Sequence, residues 1–314
     1  MAVSMNEIIT KRETTMLKGI AILLIVIEHM GQAYDVGIVN PLGPIGVCLF
    51  LFLSGYGLSC SYQENGRKNY FRKKIFKVYV PYVLTVGLFL LWGGLCLRIP
   101  LTGVQVVRFF TLLELPQGSY WYLILMFYWY VMFYLLTFIY KHDSVLIPSL
   151  FICSFMIIVI ENYQRGYVWQ FFSFPIGVIL GKHRFNIETG AKKWSPLLIC
   201  LSIITVLIKK TSYVESHELG VADTILQIVL TLSLSNYIVL NRKKIMNHEM
   251  VQKMMLFLGA ISYELYLSHA IALDYIKGNP SIDRLLVYCT VTISCVVVLR
   301  ICGCLAFYRR KRRL

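Results

Sequence analysis

A lysine and a histidine in the first apolar segment have the residue types and the spacing for chemistry inside a membrane. Lys18 and His29 are eleven positions apart, and over eleven residues an α-helix returns to within about 20° of its starting direction while rising ~16 Å. The two side chains are therefore predicted to share one helix face, with the amine at the membrane surface and the imidazole past mid-membrane. An amine there can hold phosphate, and a neutral imidazole can accept a proton near physiological pH.

The pair Glu28-His29 lies within this apolar segment, where each ionisable group costs roughly 2.5–3.5 kcal/mol on insertion scales. Two interpretations of His29 stand at this stage: a histidine hydrogen-bonded in the bundle interior, or a general base. Glu28 points about 100° away from His29 along the helix. The Glu28 side chain could therefore pair with a residue of another helix. Both a structural and a catalytic role are open for it.

Basic residues in two further segments could bind phosphate. Lys74 and Lys77 stand at i,i+3 in the basic run before Pro81, which predicts one shared helix face. A lipid-facing cluster that sets topology is the alternative explanation of such a run. Arg300 in the last segment is expected to extend its guanidinium to the interface, and a ligand role for it stays open.

A polar stripe is predicted in the ninth segment. Ser262, Tyr266 and His269 stand at i, i+4 and i+7, so they share one helix face. The stripe is either a hydrogen-bonded seam between helices or a lining that positions an acceptor or orients His29. Trp121 belongs to an aromatic block typical of an interfacial belt, which could also stack on a sugar.

The composition indicates a polytopic membrane protein. Hydrophobic residues make up 57% of the 314 positions and charged residues 15%, whereas soluble domains carry about 25% charged residues. The net charge of +15 could suggest nucleic-acid binding, but apolar runs of spanning length separate the basic clusters. No nucleic-acid partner is expected. The nine cysteines show no metal-ligand spacing, so no metal is expected.

The predicted fold is all-α, a single transmembrane domain over residues 1–314 with a short cytoplasmic arm (1–16) and a basic tail (308–314). Of the 31 lysines and arginines, 23 fall in one set of alternate loops and seven in the other, which predicts both termini in the cytoplasm. An even number of crossings agrees with about ten helices. The apolar segments are 17–36, 43–61, 75–97, 120–140, 144–160, 166–181, 194–208, 222–240, 254–273 and 283–307.

Six short motifs along the chain resemble, in order, those of acyltransferase family 3, integral membrane O-acyltransferases. A Ser-Gly pair in the second motif also predicts close approach of two helices. The motifs are Leu17-Lys18-Gly19 with His29, Phe52–Tyr56, the basic stretch before Pro81-Tyr82, Trp121-Tyr122, Phe174–Gly177 and Ser262–His269.

The resemblance implies transfer of an acyl group, often acetyl, from cytoplasmic acyl-CoA to a hydroxyl of an extracytoplasmic or lipid-linked glycan. It matches Lys18 and His29 to a basic residue and an essential histidine of the family, and Lys74 and Lys77 to a basic pair. Lysine stands here where many relatives have arginine, so bidentate phosphate contacts are lost. Some relatives carry an extracytoplasmic hydrolase-like domain, which is not expected within residues 1–314. Direct transfer within the membrane or a separate extracytoplasmic partner protein is therefore expected.

The leading hypothesis is a polysaccharide O-acetyltransferase of the plasma membrane with acetyl-CoA as its donor. His29 would be the general base, with a transient acyl-imidazole as the variant mechanism. A glycan or lipid-intermediate transporter is the alternative from another class, although no inverted repeat of broken helices supports it. The assigned side chains are Lys18, Lys74, Lys77 and Arg300 for the donor phosphates, and Ser262, Tyr266, His269 and Trp121 for the acceptor.

Overall fold

The computed structural model describes residues 8–94, 100–165, 169–183, 187–209, 220–277 and 281–311. In these ranges all regular secondary structure is helical, which confirms the predicted all-α class. The helices are α1 (Lys11–Ala33), α2 (Leu42–Asn65), α3 (Tyr70–Trp92), α4 (Gly103–Phe110), α5 (Trp121–Ile139), α6 (Asp143–Arg165), α7 (Ser173–Lys182), α8 (Ile187–Lys209), α9 (Gly220–Leu240), α10 (Arg242–Ile245), α11 (Glu249–Ala260), α12 (Ser262–His269), α13 (Leu273–Ile276) and α14 (Ile282–Lys311).

Within the described residues, eight helices are long and apolar enough to cross a membrane, and they coincide with eight of the ten predicted segments. The other two segments have a different form. The predicted segment 166–181 begins outside the described residues and continues as a 3₁₀ turn, Trp169–Phe172, followed by the ten-residue α7. The predicted segment 254–273 is divided at Ile261 into α11 and α12. About ten crossings, and the cytoplasmic position of both termini, stay predictions.

The first helix begins earlier than its hydropathy indicates. Thr10 and Glu13 form a reciprocal capping box, in which the Thr10 hydroxyl accepts the Glu13 N–H at 3.1 Å and the Glu13 carboxylate accepts the Thr10 N–H at 2.9 Å. Ile9 and Met16 are buried in the core. Part of the predicted arm 1–16 is therefore helical and packed, and α14 likewise extends into the predicted basic tail as far as Lys311.

The chain divides into two compact units, to which α1 and α5 both contribute. The single domain predicted from the sequence stays a prediction. The first unit comprises Met1–Ile27, Asn40–Gly66 and Met132–Ala260, and the second comprises Glu28–Val39, Arg67–Val131 and Ile261–Leu314.

Helices α2 and α7 of the first unit lie backbone against backbone. A carbon added at Gly55 would collide with the carbonyl of Phe174, and one added at Gly177 would collide with the carbonyl of Phe52. Because glycine has no Cβ, the two helices can approach this closely. The contact confirms the close approach that the Ser-Gly pair of α2 predicts.

The start of α1 is tied to the rest of the first unit by buried polar groups. The Arg242 Nε lies 3.0 Å from a carboxylate oxygen of Glu13. The hydroxyl of Tyr56 donates to the Ile9 carbonyl at 3.1 Å and accepts the Ile9 N–H at 3.0 Å. These contacts satisfy main-chain groups that precede the helix and would otherwise be buried without partners.

Tyrosine hydroxyls join the helices of the second unit by donating to main-chain carbonyls. Two of the acceptors are at the C-terminal end of α4, where helix carbonyls have no partner within the helix. The pairs are Tyr70 with Tyr130, Tyr79 with Phe110, Tyr82 with Phe109 and Tyr263 with Val78, all at 2.8–2.9 Å.

We expect Gly177→Ala to lower the thermal unfolding midpoint of the detergent-solubilised protein. The added carbon must displace the backbone of Phe52, and overpacking of this kind typically costs about 1–3 kcal/mol. The matched control is Gly57→Ala in the facing helix α2, where an added carbon meets open space. Size-exclusion profiles after stepwise heating would measure both. Equal midpoints for Gly177→Ala and the wild type would contradict the described contact.

Candidate active site

Two histidine rings meet in the second unit, one near the end of α1 and the other at the end of α12. The Nδ1 of His29 lies 2.8 Å from the Nε2 of His269, and the ring planes differ by 13°. His269 is fully buried, and the His29 side chain is 13% exposed. The structure therefore turns the ring of His29 into the protein and brings together the two histidines that the sequence places inside spanning segments.

The main-chain carbonyl of Leu265 determines which ring nitrogens carry protons. The Nδ1 of His269 lies 3.0 Å from this oxygen, and a carbonyl only accepts, so Nδ1 is the protonated nitrogen of His269. In the neutral ring the Nε2 is then an acceptor, and the Nδ1 of His29 must donate to it. With both rings neutral, this order leaves the Nε2 of His29 unprotonated and able to accept a proton.

Glu28 lies beside the His29 ring. One carboxylate oxygen of Glu28 is 3.3 Å from the Nε2 of His29, and the other accepts from the amide of Gln32, one turn further along α1. Both contacts are within α1, whereas the sequence left a pairing with another helix open. An ionised carboxylate at this distance stabilises the imidazolium that forms when His29 accepts a proton.

The predicted polar stripe of α12 is buried. Ser262, Tyr266 and His269 are 5%, 3% and 0% exposed, and the centroids of the Tyr266 and His269 rings are 5.9 Å apart. Both ring nitrogens of His269 have partners within the protein. Trp121 is half-buried at the start of α5. The burial agrees with an interior stripe, and a contact of these residues with an acceptor stays a prediction.

A short segment before α5, residues 117–120, holds α12 and α13; we call it the clamp segment. The Gln117 amide donates to Asp274 at 2.8 Å, and the Tyr120 hydroxyl donates to the Leu267 carbonyl at 2.7 Å. The Tyr266 hydroxyl donates in return to a carbonyl of the clamp segment. Sequence reasoning missed these contacts because a loop glutamine has no periodic signal and Tyr120 belongs to the aromatic block.

One helical turn beyond His29, α1 packs against α13. Ala33 lies in a buried cluster with Leu273 and Ile276, against which Trp92 also packs. Asp274 of α13 forms an ion pair with Lys277, the residue that follows the helix, with the ammonium 2.9 Å from the carboxylate. The residues that follow His269 in sequence thus bring acidic and basic side chains to this part of the second unit, which also contains the aromatic ring of Trp92.

The predicted basic pair of α3 is divided by a π-helical turn, Ile75–Tyr79. Pro81 has no N–H and its ring conflicts with the carbonyl four residues earlier, and the Val80 N–H bonds instead to the carbonyl of Ile75. Lys74 is half-buried, with its ammonium 4.5 Å from the centroid of the Tyr130 ring, while Lys77 is exposed. The two amines thus have different surroundings, although the spacing predicts one face.

The other two predicted phosphate ligands lie in different units. Arg300 donates to the Glu264 carboxylate at 3.0 Å, with the arginine side chain 50% exposed and the glutamate 17% exposed. The sequence missed this ion pair because its partners are in separate segments. Lys18 is half-buried in the part of α1 that belongs to the first unit.

The helices and the paired imidazoles define a class: a multi-pass helical membrane protein with ionisable side chains buried between its helices. Residues 14–307 match the family model described as "Acyltransferase domain". The chain therefore belongs to acyltransferase family 3, which confirms the resemblance of its motifs. No curated protein and no solved structure matches it.

We expect Tyr120→Phe to lower the thermal midpoint, because the buried carbonyl of Leu267 loses its donor at a cost of about 1–3 kcal/mol. The matched control is Tyr128→Phe in the same helical region, since Tyr128 is 44% exposed. Both variants remove one hydroxyl, so only the buried site distinguishes them. Indistinguishable midpoints would show that the clamp segment contributes little to holding α12.

Proposed function

We propose that this membrane acyltransferase transfers acetyl from cytoplasmic acetyl-CoA to a hydroxyl of a cell-surface or lipid-linked polysaccharide at the plasma membrane. Membership of the family supports acyl transfer, while the acetyl group, the donor and the acceptor are part of the proposal. The observation that carries it is the hydrogen-bonded series from the Leu265 carbonyl through His269 to His29. Such a series presents an unprotonated imidazole nitrogen, which acyl transfer to a hydroxyl requires.

In the proposed reaction, His29 moves one proton twice. Its Nε2 accepts the proton of the acceptor hydroxyl while the hydroxyl oxygen attacks the thioester carbonyl carbon. The carbon–sulfur bond then breaks, and the departing thiolate takes the proton back from Nε2, which gives the ester and free CoA. General acid–base assistance of this kind contributes about 10²- to 10⁴-fold. Glu28, 3.3 Å from the same nitrogen, stabilises the imidazolium between the two proton transfers.

His269 is assigned a positioning role. Its Nδ1 and Nε2 are both engaged with protein atoms, so neither is available for the acceptor while these bonds persist. The contact with the Leu265 carbonyl holds the His269 ring, and the ring in turn holds the Nδ1 proton of His29. Tyr266 and Ser262 extend this buried stripe of α12, and Trp121 supplies an aromatic surface beside it in the proposal.

The donor phosphates are proposed to bind Lys74, Lys77 and Arg300 of the second unit. A lysine ammonium contacts phosphate as a point charge, whereas a guanidinium makes paired hydrogen bonds. Arg300 must exchange its bond with Glu264 for one with phosphate, so the glutamate competes with the donor. The participation of Lys18, which lies in the first unit, stays a prediction from the sequence.

We expect His29→Ala to lower O-acetylation of envelope glycans by at least about 10²-fold, because the base is removed. His269→Ala should lower kcat with little change in the KM for acetyl-CoA, since it acts through His29. The double variant should therefore be no slower than His29→Ala alone, because residues that act as a unit are not additive. Mass spectrometry of glycans and kinetics in purified membranes would measure these effects.

The control for these variants is His142→Ala, since His142 is an exposed histidine outside the site. All four proteins must be present in the membrane in equal amounts. Retained acetylation by His29→Ala would contradict the base assignment. A double variant whose loss equals the product of the single losses would contradict the positioning role of His269.

We expect CoA to raise the thermal midpoint of the wild-type protein in detergent, because a ligand that binds only the folded state stabilises it. Arg300→Gln should weaken CoA binding about tenfold, which corresponds to ~1.4 kcal/mol. Glu264→Gln should strengthen it, since the guanidinium no longer has a competing carboxylate. Lys253→Gln, at a side chain 74% exposed, is the control. No stabilisation of the wild type by CoA or acetyl-CoA would favour the transporter alternative.

A further inference from the structure

An apolar cavity of about 300 Å³ lies in the first unit, between α2, α7, α8 and α9. Its lining is almost entirely aliphatic and aromatic and includes Leu180 of α7 and Leu198 of α8. Protein interiors are close-packed, with few voids larger than a water molecule. This space is thus larger than a usual packing void. Its volume is at the lower end of the range for ligand-binding pockets, about 300–1,000 Å³, and its apolar lining suits a hydrocarbon chain.

The rim of the cavity carries aromatic and basic side chains. Trp194 and His183 line it, and the ammonium of Lys193 lies 4.9 Å from the centroid of the Trp194 ring. Lys192 precedes this lysine, and both are exposed. Tryptophan next to lysine is typical of the membrane–water interface, and the charge count predicts that these lysines, at the start of α8, face the cytoplasm. The cavity thus combines an apolar interior with a cationic edge at head-group level.

The class of ligand follows from the difference between the apolar interior of the cavity and its cationic edge. A chain that moves from the bilayer into an apolar cavity gains little hydrophobic free energy, because it leaves an equally apolar medium. Preference for one lipid must therefore come from the head group. A lysine near the surface favours an anionic lipid about fivefold. We propose that the cavity holds one acyl chain of an anionic phospholipid whose phosphate is bound by Lys192 and Lys193.

The test compares phosphatidylglycerol with phosphatidylcholine of identical chains on the delipidated full-length protein in detergent. Native mass spectrometry would measure binding of each lipid. Phosphatidylglycerol should bind about 30-fold more tightly, as expected for two lysines. Lys193→Glu should weaken its binding at least about fivefold. Lys253→Glu, a charge reversal elsewhere in the first unit, should leave it unchanged.

A second variant tests the cavity itself. Leu198→Trp fills the space and should lower the binding of phosphatidylglycerol to the level of phosphatidylcholine. Leu207→Trp is its matched control, because Leu207 is 61% exposed on the same helix. If Leu198→Trp does not give a monodisperse protein, Leu180→Phe replaces it. Binding unaffected by filling, equal binding of the two lipids, or a preference for a polyprenyl phosphate over phosphatidylglycerol would each overturn the proposal. Activity is not measured, so the outcome is independent of the proposed function.

Discussion

Polar groups between membrane-spanning helices must find their partners within the protein, because hydrocarbon offers none. In the second unit, main-chain carbonyls are the common solution. The Leu265 carbonyl accepts from His269, and the Leu267 carbonyl two residues later accepts from Tyr120. The first of these bonds sets the protonation order of the two histidine rings, and the second holds α12, the helix that carries His269. The chemistry of the buried site and the stability of its scaffold thus depend on the same short stretch of backbone.

The proposed reaction divides the work of an acyltransferase among residues of different kinds. A base in a membrane must be unprotonated, oriented and shielded, and a single histidine cannot arrange all three. In the proposal, His269 orients the ring of His29, the surrounding helices shield it, and Glu28 balances the positive charge. The exposed guanidinium of Arg300, with its own carboxylate partner, belongs to a wetter and more adjustable environment. In the proposed reaction, the exposed Arg300 contacts the large charged donor, and the buried histidine pair transfers the proton.

Hydropathy and the free-energy cost of placing ionisable side chains in a membrane predict much of this protein's structure, because both depend on local composition. The eight long apolar helices and the choice of His29 as a candidate site residue follow from such arguments, since burying an imidazole in an apolar segment costs free energy. The contact of His29 with His269 joins positions 240 residues apart, and single-sequence periodicity contains no distance information of that kind. The same limit hides the Arg300–Glu264 pair. The π-helical turn before Pro81 is a local effect, but its consequence for the face of Lys77 appears only in the three-dimensional helix.

The carboxylate of Glu13 serves two partners, one in the capping box of α1 and the other in the ion pair with Arg242. The ribosome adds Glu13 long before Arg242. The ion pair at the start of α1 can therefore form only late in synthesis. Until then, the Glu13 carboxylate has its capping contact with Thr10 but lacks the guanidinium of Arg242. A chain truncated before Arg242 would therefore lack this buried ion pair, and the start of α1 would lose one of its attachments to the rest of the first unit.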